Sequence, residues 1–196
     1  AGGAYVYTDA SGHYSFTTSP GTYALYVYGD DLPGLPAHWS IYQPGIDVSS
    51  DRVLDLTLPA TVSLTFRLQD PDGNPVAGAQ LVGVSATSNA MSLGAGLPAA
   101  QGSAYMNGDS ATTDSNGIAH YLVFGPVDYL SGTAVPNLPG LNNASFNIYP
   151  YVPGTTVALV FPATDHLAPQ AHLNSPAEGA TFTQGQSVPA DYTCED

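Results

Sequence analysis

The sequence predicts an all-β protein of tandem β-sandwiches, and three observations support that fold class. The chain repeats itself. Thr8-Asp9-Ala10-Ser11-Gly12 returns as Thr113-Asp114-Ser115-Asn116-Gly117, and Leu32-Pro33-Gly34-Leu35 as Leu138-Pro139-Gly140-Leu141. Trp39-Ser40-Ile41-Tyr42 returns as Phe146-Asn147-Ile148-Tyr149, and Pro59-Ala60-Thr61 as Pro162-Ala163-Thr164. The offsets stay between 103 and 107 residues, so turns, a loop and strand ends recur in register, as a duplicated module requires. Second, 21 Gly and 17 Pro punctuate short apolar stretches rich in Tyr, a composition suited to strands and tight turns. Third, continuous helical periodicity is almost absent.

In chain order, the first unit spans residues 1–60. Tyr5-Val6-Tyr7, the Thr-Asp turn, Tyr14 to Thr17, Tyr23 to Tyr28, a loop carrying Trp39, and Val53 to Leu58 all have counterparts later in the chain. Nothing in this unit corresponds to residues 61 to about 105. A sandwich short of its first two strands has an unpaired edge and an open core. The missing strands come either from a longer polypeptide or from another subunit.

The second unit, residues 61–164, reads as complete. Val62, Leu64, Phe66 and Leu68 alternate with Ser63, Thr65 and Arg67, which predicts a strand with one buried face. Asp70-Pro71-Asp72-Gly73-Asn74-Pro75 is a turn, and Val76 to Val84 is its return strand. Residues 86–108 are rich in Ala, Gly and Ser and read as a long loop with a short helical turn near Pro98–Gln101. Strands follow at Ala119 to Phe124, Tyr129 to Val135, Ser145 to Tyr149 and Thr156 to Phe161. Short strands at this spacing, with turns between them, point to a sandwich. Residues 165–196 read as the opening strands of a further sandwich, and Cys194, the chain's single cysteine, is expected to pair with a partner further along.

Charge excludes whole classes of partner. Arg52 and Arg67 are the only basic residues against 16 acidic ones, for a formal net charge of -14. Nucleic-acid binding needs Lys and Arg to neutralise phosphates, and docking on anionic lipid needs them too. No apolar run approaches the roughly 20 residues of a membrane-spanning helix, so no membrane insertion is expected.

The pattern D-x-x-G-x-P-V-x-G-A, then T-D-x-x-G-x-Y-x-F, then P-G-T-Y-x-L is carried by Asp70 to Ala79, Thr8 to Phe16 and Pro20 to Leu25. It resembles the carboxypeptidase regulatory-like, transthyretin-like domains of secreted bacterial proteins, relatives of the B-type repeats of surface adhesins. Residues 165–196 resemble the start of a bacterial Ig-like domain. The resemblance covers about residues 1–164 and implies extracellular or cell-surface stalks and accessory domains without activity of their own. Adhesin repeats often carry a Lys–Asn isopeptide crosslink. This chain has no Lys, so that bond cannot form.

Candidate chemistry is sparse. Asp70, Asp72, Asp109 and Asp114 are the candidate calcium ligands, since calcium takes six to eight oxygens; Asp in turns also serves the local backbone. Asp30, Asp31, Asp47 and Asp51 form a second acidic group. His13, His38, His120, His166 and His172 are scattered without metal-ligand spacing. Gly108-Asp109-Ser110 lacks the strand-turn-helix setting of a hydrolase nucleophile, and no enzyme is expected. On Tyr23 to Tyr28, one face carries Tyr23, Leu25 and Val27 and the other Ala24, Tyr26 and Tyr28. Tyr26 and Tyr28, with Trp39 in its loop, are the candidate ligand-binding residues for a glycan or protein. Three functions follow as expectations: a structural spacer joined to neighbouring domains or like subunits, a carbohydrate- or protein-binding module, and a filament subunit assembled by strand complementation.

Overall fold

Strands account for all the regular structure among the described residues, and two sheets share one core. The computed structural model describes residues 5–106, 111–164 and 170–195. In chain order the strands are β1 (Gly21–Asp30), β2 (His38–Val48), β3 (Thr61–Gln69), β4 (Gln80–Met91), β5 (Ala100–Tyr105) and β6 (Ala111–Thr112). They continue with β7 (Ile118–Phe124), β8 (Tyr129–Val135), β9 (Ala144–Ile148), β10 (Thr156–Val160), β11 (Gln170–Ser175) and β12 (Asp191–Glu195).

The large sheet runs β1-β2-β5-β4-β8-β9, with β6 beside β4, and the small sheet runs β10-β3-β7. Alternation in the sequence becomes alternation in burial. In β3, Leu64, Phe66 and Leu68 are buried, while Arg67 faces solvent. Val62 belongs to the same pattern but is 41% exposed, because it lies at the open end of the strand. From the large sheet, Ile41, Leu81, Val84, Ala86, Leu130 and Phe146 join these side chains in one apolar cluster. Leu81 and Val84 both face inward although three residues apart. The register against β8 shifts between Val82 and Ser85, where Gly83 takes a φ of 57°, and this bulge resets the alternation.

The duplication is visible in the register. In the β1–β2 hairpin, Val27 pairs with Ile41, Gly29 with Trp39 and Asp30 with His38. In the β8–β9 hairpin, Leu130 pairs with Ile148, Gly132 with Phe146 and Thr133 with Ser145. Each glycine lies beneath the aromatic ring opposite it. A methyl group added at Gly29 would stand 2.7 Å from the Trp39 indole, and one at Gly132 would stand 2.7 Å from the Phe146 ring.

Three expectations need correction. The described part of 86–108 is not one long loop: it supplies the end of β4 and all of β5, with only 92–99 left as the connection, and 107–108 lie outside the described residues. Apart from Met91 and Leu93, the inward positions of this stretch are the small residues Ala86, Ser88, Ala100, Gly102 and Ala104, so most of the strand alternation leaves little hydrophobic signal. Trp39 is not in a loop either, because it belongs to β2. The return strand expected from Val76 starts at Gln80, since Val76 and Ala79 are held by loop contacts to Leu68 and Thr113.

The stretch before Thr61 does not close a core of its own. β2 pairs with β5 from Tyr42↔Gln101 to His38↔Tyr105, which extends the large sheet. Leu93, in the β4–β5 connection, is fully buried, and its carbonyl accepts from Thr57 N–H at 2.8 Å. Gln43 clamps the same connection by donating to Pro98 O at 2.9 Å. Ala1–Ala163 accordingly form one compact unit, and Thr164–Asp196 a second. In the second unit β11 and β12 pair antiparallel, with Ala171 opposite Cys194, which is exposed and unbridged.

Candidate functional site

The acidic turns are built alike three times. Asp9 Oδ1 accepts from the N–H groups of Ser11 and His13 at 2.8 and 2.9 Å. Asp70 Oδ1 accepts from Asp72 and Asn74 at 3.0 and 2.8 Å, and Asp114 Oδ1 from Asn116 and Ile118 at 2.9 Å each. The glycine three residues on takes a φ of 80°, 86° or 72° and returns its N–H to the aspartate carbonyl. Only glycine accepts that conformation without strain. Asn74 donates its side-chain amide to Asp70 Oδ2, and this bond, with the backbone donors, holds the Asp70 carboxyl below the usual carboxylate range. Backbone donation from Ile118 and Asn116 does the same for Asp114.

The expected calcium ligands are therefore divided. Asp70 and Asp114 serve the backbones of two separate turns, Asp72 contributes its N–H to the Asp70 carboxylate, and Asp109 lies outside the described residues. Among the described residues, no three His, Cys, Asp or Glu side chains gather in a way that could hold a metal ion.

The tyrosine face is better formed. Burial along β1 alternates as the sequence predicts, with Tyr26 66% and Tyr28 48% exposed. The Tyr26 ring centre lies 4.9 Å from that of Tyr42, and the Tyr28 ring 5.6 Å from that of Tyr5, which meets Tyr7 edge-on. Trp39 does not share this surface. It is 3% exposed, with its ring turned into the core edge-on to Phe124 at 5.2 Å.

Beside Tyr26 and Tyr42 runs a shallow groove of about 330 Å³, lined also by Ser40, Ser103, Thr87 and Asn89. Pairing sets its polar floor, because Ser40 is opposite Ser103 and Ser103 opposite Thr87. The two serine hydroxyls are 2.8 Å apart. Aromatic rings next to uncharged hydroxyl and amide groups suit a sugar ring, which stacks through its C–H face and hydrogen-bonds through its rim. The sequence-level signal for this groove is the alternation of Ser85, Thr87 and Asn89 in β4 and of Gln101 and Ser103 in β5. It is legible only once those strands are known to pair.

At one end of the sheet, His38 Nδ1 lies 2.9 Å from Asp30 Oδ1, and the imidazole stacks on Tyr105 at 5.8 Å. This contact ties β1, β2 and β5 together. Tyr121, on the inward face of β7, is buried, and desolvation raises its phenol above the ordinary tyrosine value. No protein-family model matches the chain, and neither a curated protein nor a solved structure matches it.

Proposed function

We propose that the chain is a non-catalytic structural spacer of a secreted or surface-displayed multidomain protein. On this reading residues 1–163 hold transthyretin-like repeats and the following residues open an Ig-like domain. The observation that carries the proposal is that the repeated hairpins, β1–β2 and β8–β9, are joined through β4–β5 into one sheet over one continuous core. Repeats fused by strand pairing act as one continuous body, as a spacer requires. The three motifs, one in the second unit and two in the first, and the matched hairpin registers support the transthyretin-like assignment, which in turn supports an extracellular location.

Single-molecule pulling from the two chain ends tests this. The expected record is a single abrupt lengthening as the 1–163 unit gives way. Gradual extension at low force would overturn the spacer reading.

The tyrosine groove favours a second reading, a binding module for glycan or protein. A glycan array probed with the chain and with a Tyr26→Ala/Tyr28→Ala variant separates the two. Binding that the double variant loses supports the second reading, and no mutation-sensitive binding removes it.

A further inference from the structure

The two copies of the repeated hairpin are not equally covered. β2 has β5 along its outer side, whereas no strand of the described residues pairs with the outer side of β9. Position by position, exposure tracks that difference. Ile41 is fully buried and its counterpart Ile148 only half-buried; Tyr42 is half-buried and Tyr149 is 72% exposed. Ser40 and His38 are half-buried, while Asn147 and Ser145 are exposed. The opposite edge shows the mirror case. β8 has β4 beside it and Leu130 is fully buried, but among the described residues no strand pairs with the outer side of β1, and Val27 is half-buried. One hairpin, β4–β5, supplies both of the neighbours that are present: β4 covers β8, and β5 covers β2.

We infer that the outer edges of β9 and β1 are joints for further β4–β5-type hairpins, β9 taking the β5 side and β1 the β4 side. Successive repeats would then be welded into one continuous sheet. The occupant is a hairpin from a further copy of the repeat. A second copy of this chain cannot supply it, because its own β4–β5 hairpin is already engaged on both sides, by β2 and by β8. The chemistry of the fit is visible at the existing joint. Gly102 lies opposite Ile41 and leaves room for Met91 to cover it, and Ala104 lies opposite Trp39. A β5-type strand on β9 would bring the same small residues against Ile148 and Phe146. Unpaired edges of this kind capture strands through main-chain hydrogen bonds. This inference rests on the serial-spacer reading and states how the units are joined.

Hydrogen exchange of the 196-residue chain, with and without a synthetic peptide spanning Gln80–Tyr105, tests it. Amides in Ser145–Tyr149 and Tyr26–Asp30 are expected to slow by about tenfold or more at saturating peptide. A peptide carrying Ser103→Pro should leave the Ser145–Tyr149 amides unprotected. Unchanged exchange at both edges overturns the inference, as does equal protection by the proline peptide. Concentration-dependent self-association of the chain alone that protects these same amides also overturns it, since the occupant is then a second copy. None of these failures touches the spacer reading, which stands or falls on the pulling record.

Discussion

Thr113 and Thr8 occupy the same place in the repeated Thr-Asp motif, yet only one of them has partners. The Thr113 hydroxyl donates to Val76 O at 2.7 Å and accepts from Ala79 N–H at 2.9 Å, all in the interior. Thr8 is exposed. Thr113→Val is expected to cost about 1–3 kcal/mol by stranding two buried backbone groups. Thr8→Val should stay within about 0.5 kcal/mol, and denaturant melts of the two variants check the contrast. The aspartate turns add a pH dependence. Asp70 and Asp114 have folded pKa values below the unfolded one, so their stabilisation is complete above about pH 4 and is lost as pH falls through the depressed values. Melting temperature should therefore drop with acidification below about pH 4, and less steeply in an Asp70→Asn/Asp114→Asn variant. The aspartate turns were legible in the sequence as D-x-x-G at three places. What the sequence left open was whether the carboxylates faced a cation or their own backbone, since both uses favour the same residues.

At the scale of elements, the paired hairpins show why Gly29 and Gly132 sit where strands ordinarily avoid glycine. The ring across the ladder fills the space a side chain would take, which removes the packing penalty of a bare position. Gly29→Ala and Gly132→Ala should each destabilise by about 1–3 kcal/mol, read by chemical denaturation, because the Trp39 and Phe146 rings have to move from the core. Strands with large side chains on their buried face were legible. β3 and β7 follow the alternation of Leu, Phe, Tyr and Val closely. β5 was hidden because its inward residues are Ala, Gly and Ala, and a hydrophobic pattern cannot be read from side chains of that size. Trp39 was misplaced for a related reason. The Pro and Gly of the neighbouring Leu-Pro-Gly-Leu turn masked the start of β2.

For the whole molecule, the duplication was legible but the way its copies merge was not. Counting repeats placed a boundary at Thr61, whereas the β2–β5 ladder and the buried Leu93 carry one core across it. Residues 5–163 are expected to melt in a single transition, with calorimetric and van't Hoff enthalpies in agreement. Gly102→Val attacks the junction itself, because its first carbon would collide with the Met91 sulfur. This variant should lose about 1–3 kcal/mol and release the amides of β1 and β2 ahead of those of β8 and β9.

The placement of the two arginines has a further consequence. Trypsin-like proteases cut after Lys or Arg and must draw several residues of their substrate into an extended, unpaired form. Arg67 sits in the middle strand of its sheet, with Ile118 on one flank and Ala158 on the other, so its peptide bond is shielded on both sides. Arg52 adjoins Val53, which is 85% exposed and outside any strand. Limited digestion should nick the folded chain once, after Arg52, and leave the remainder intact.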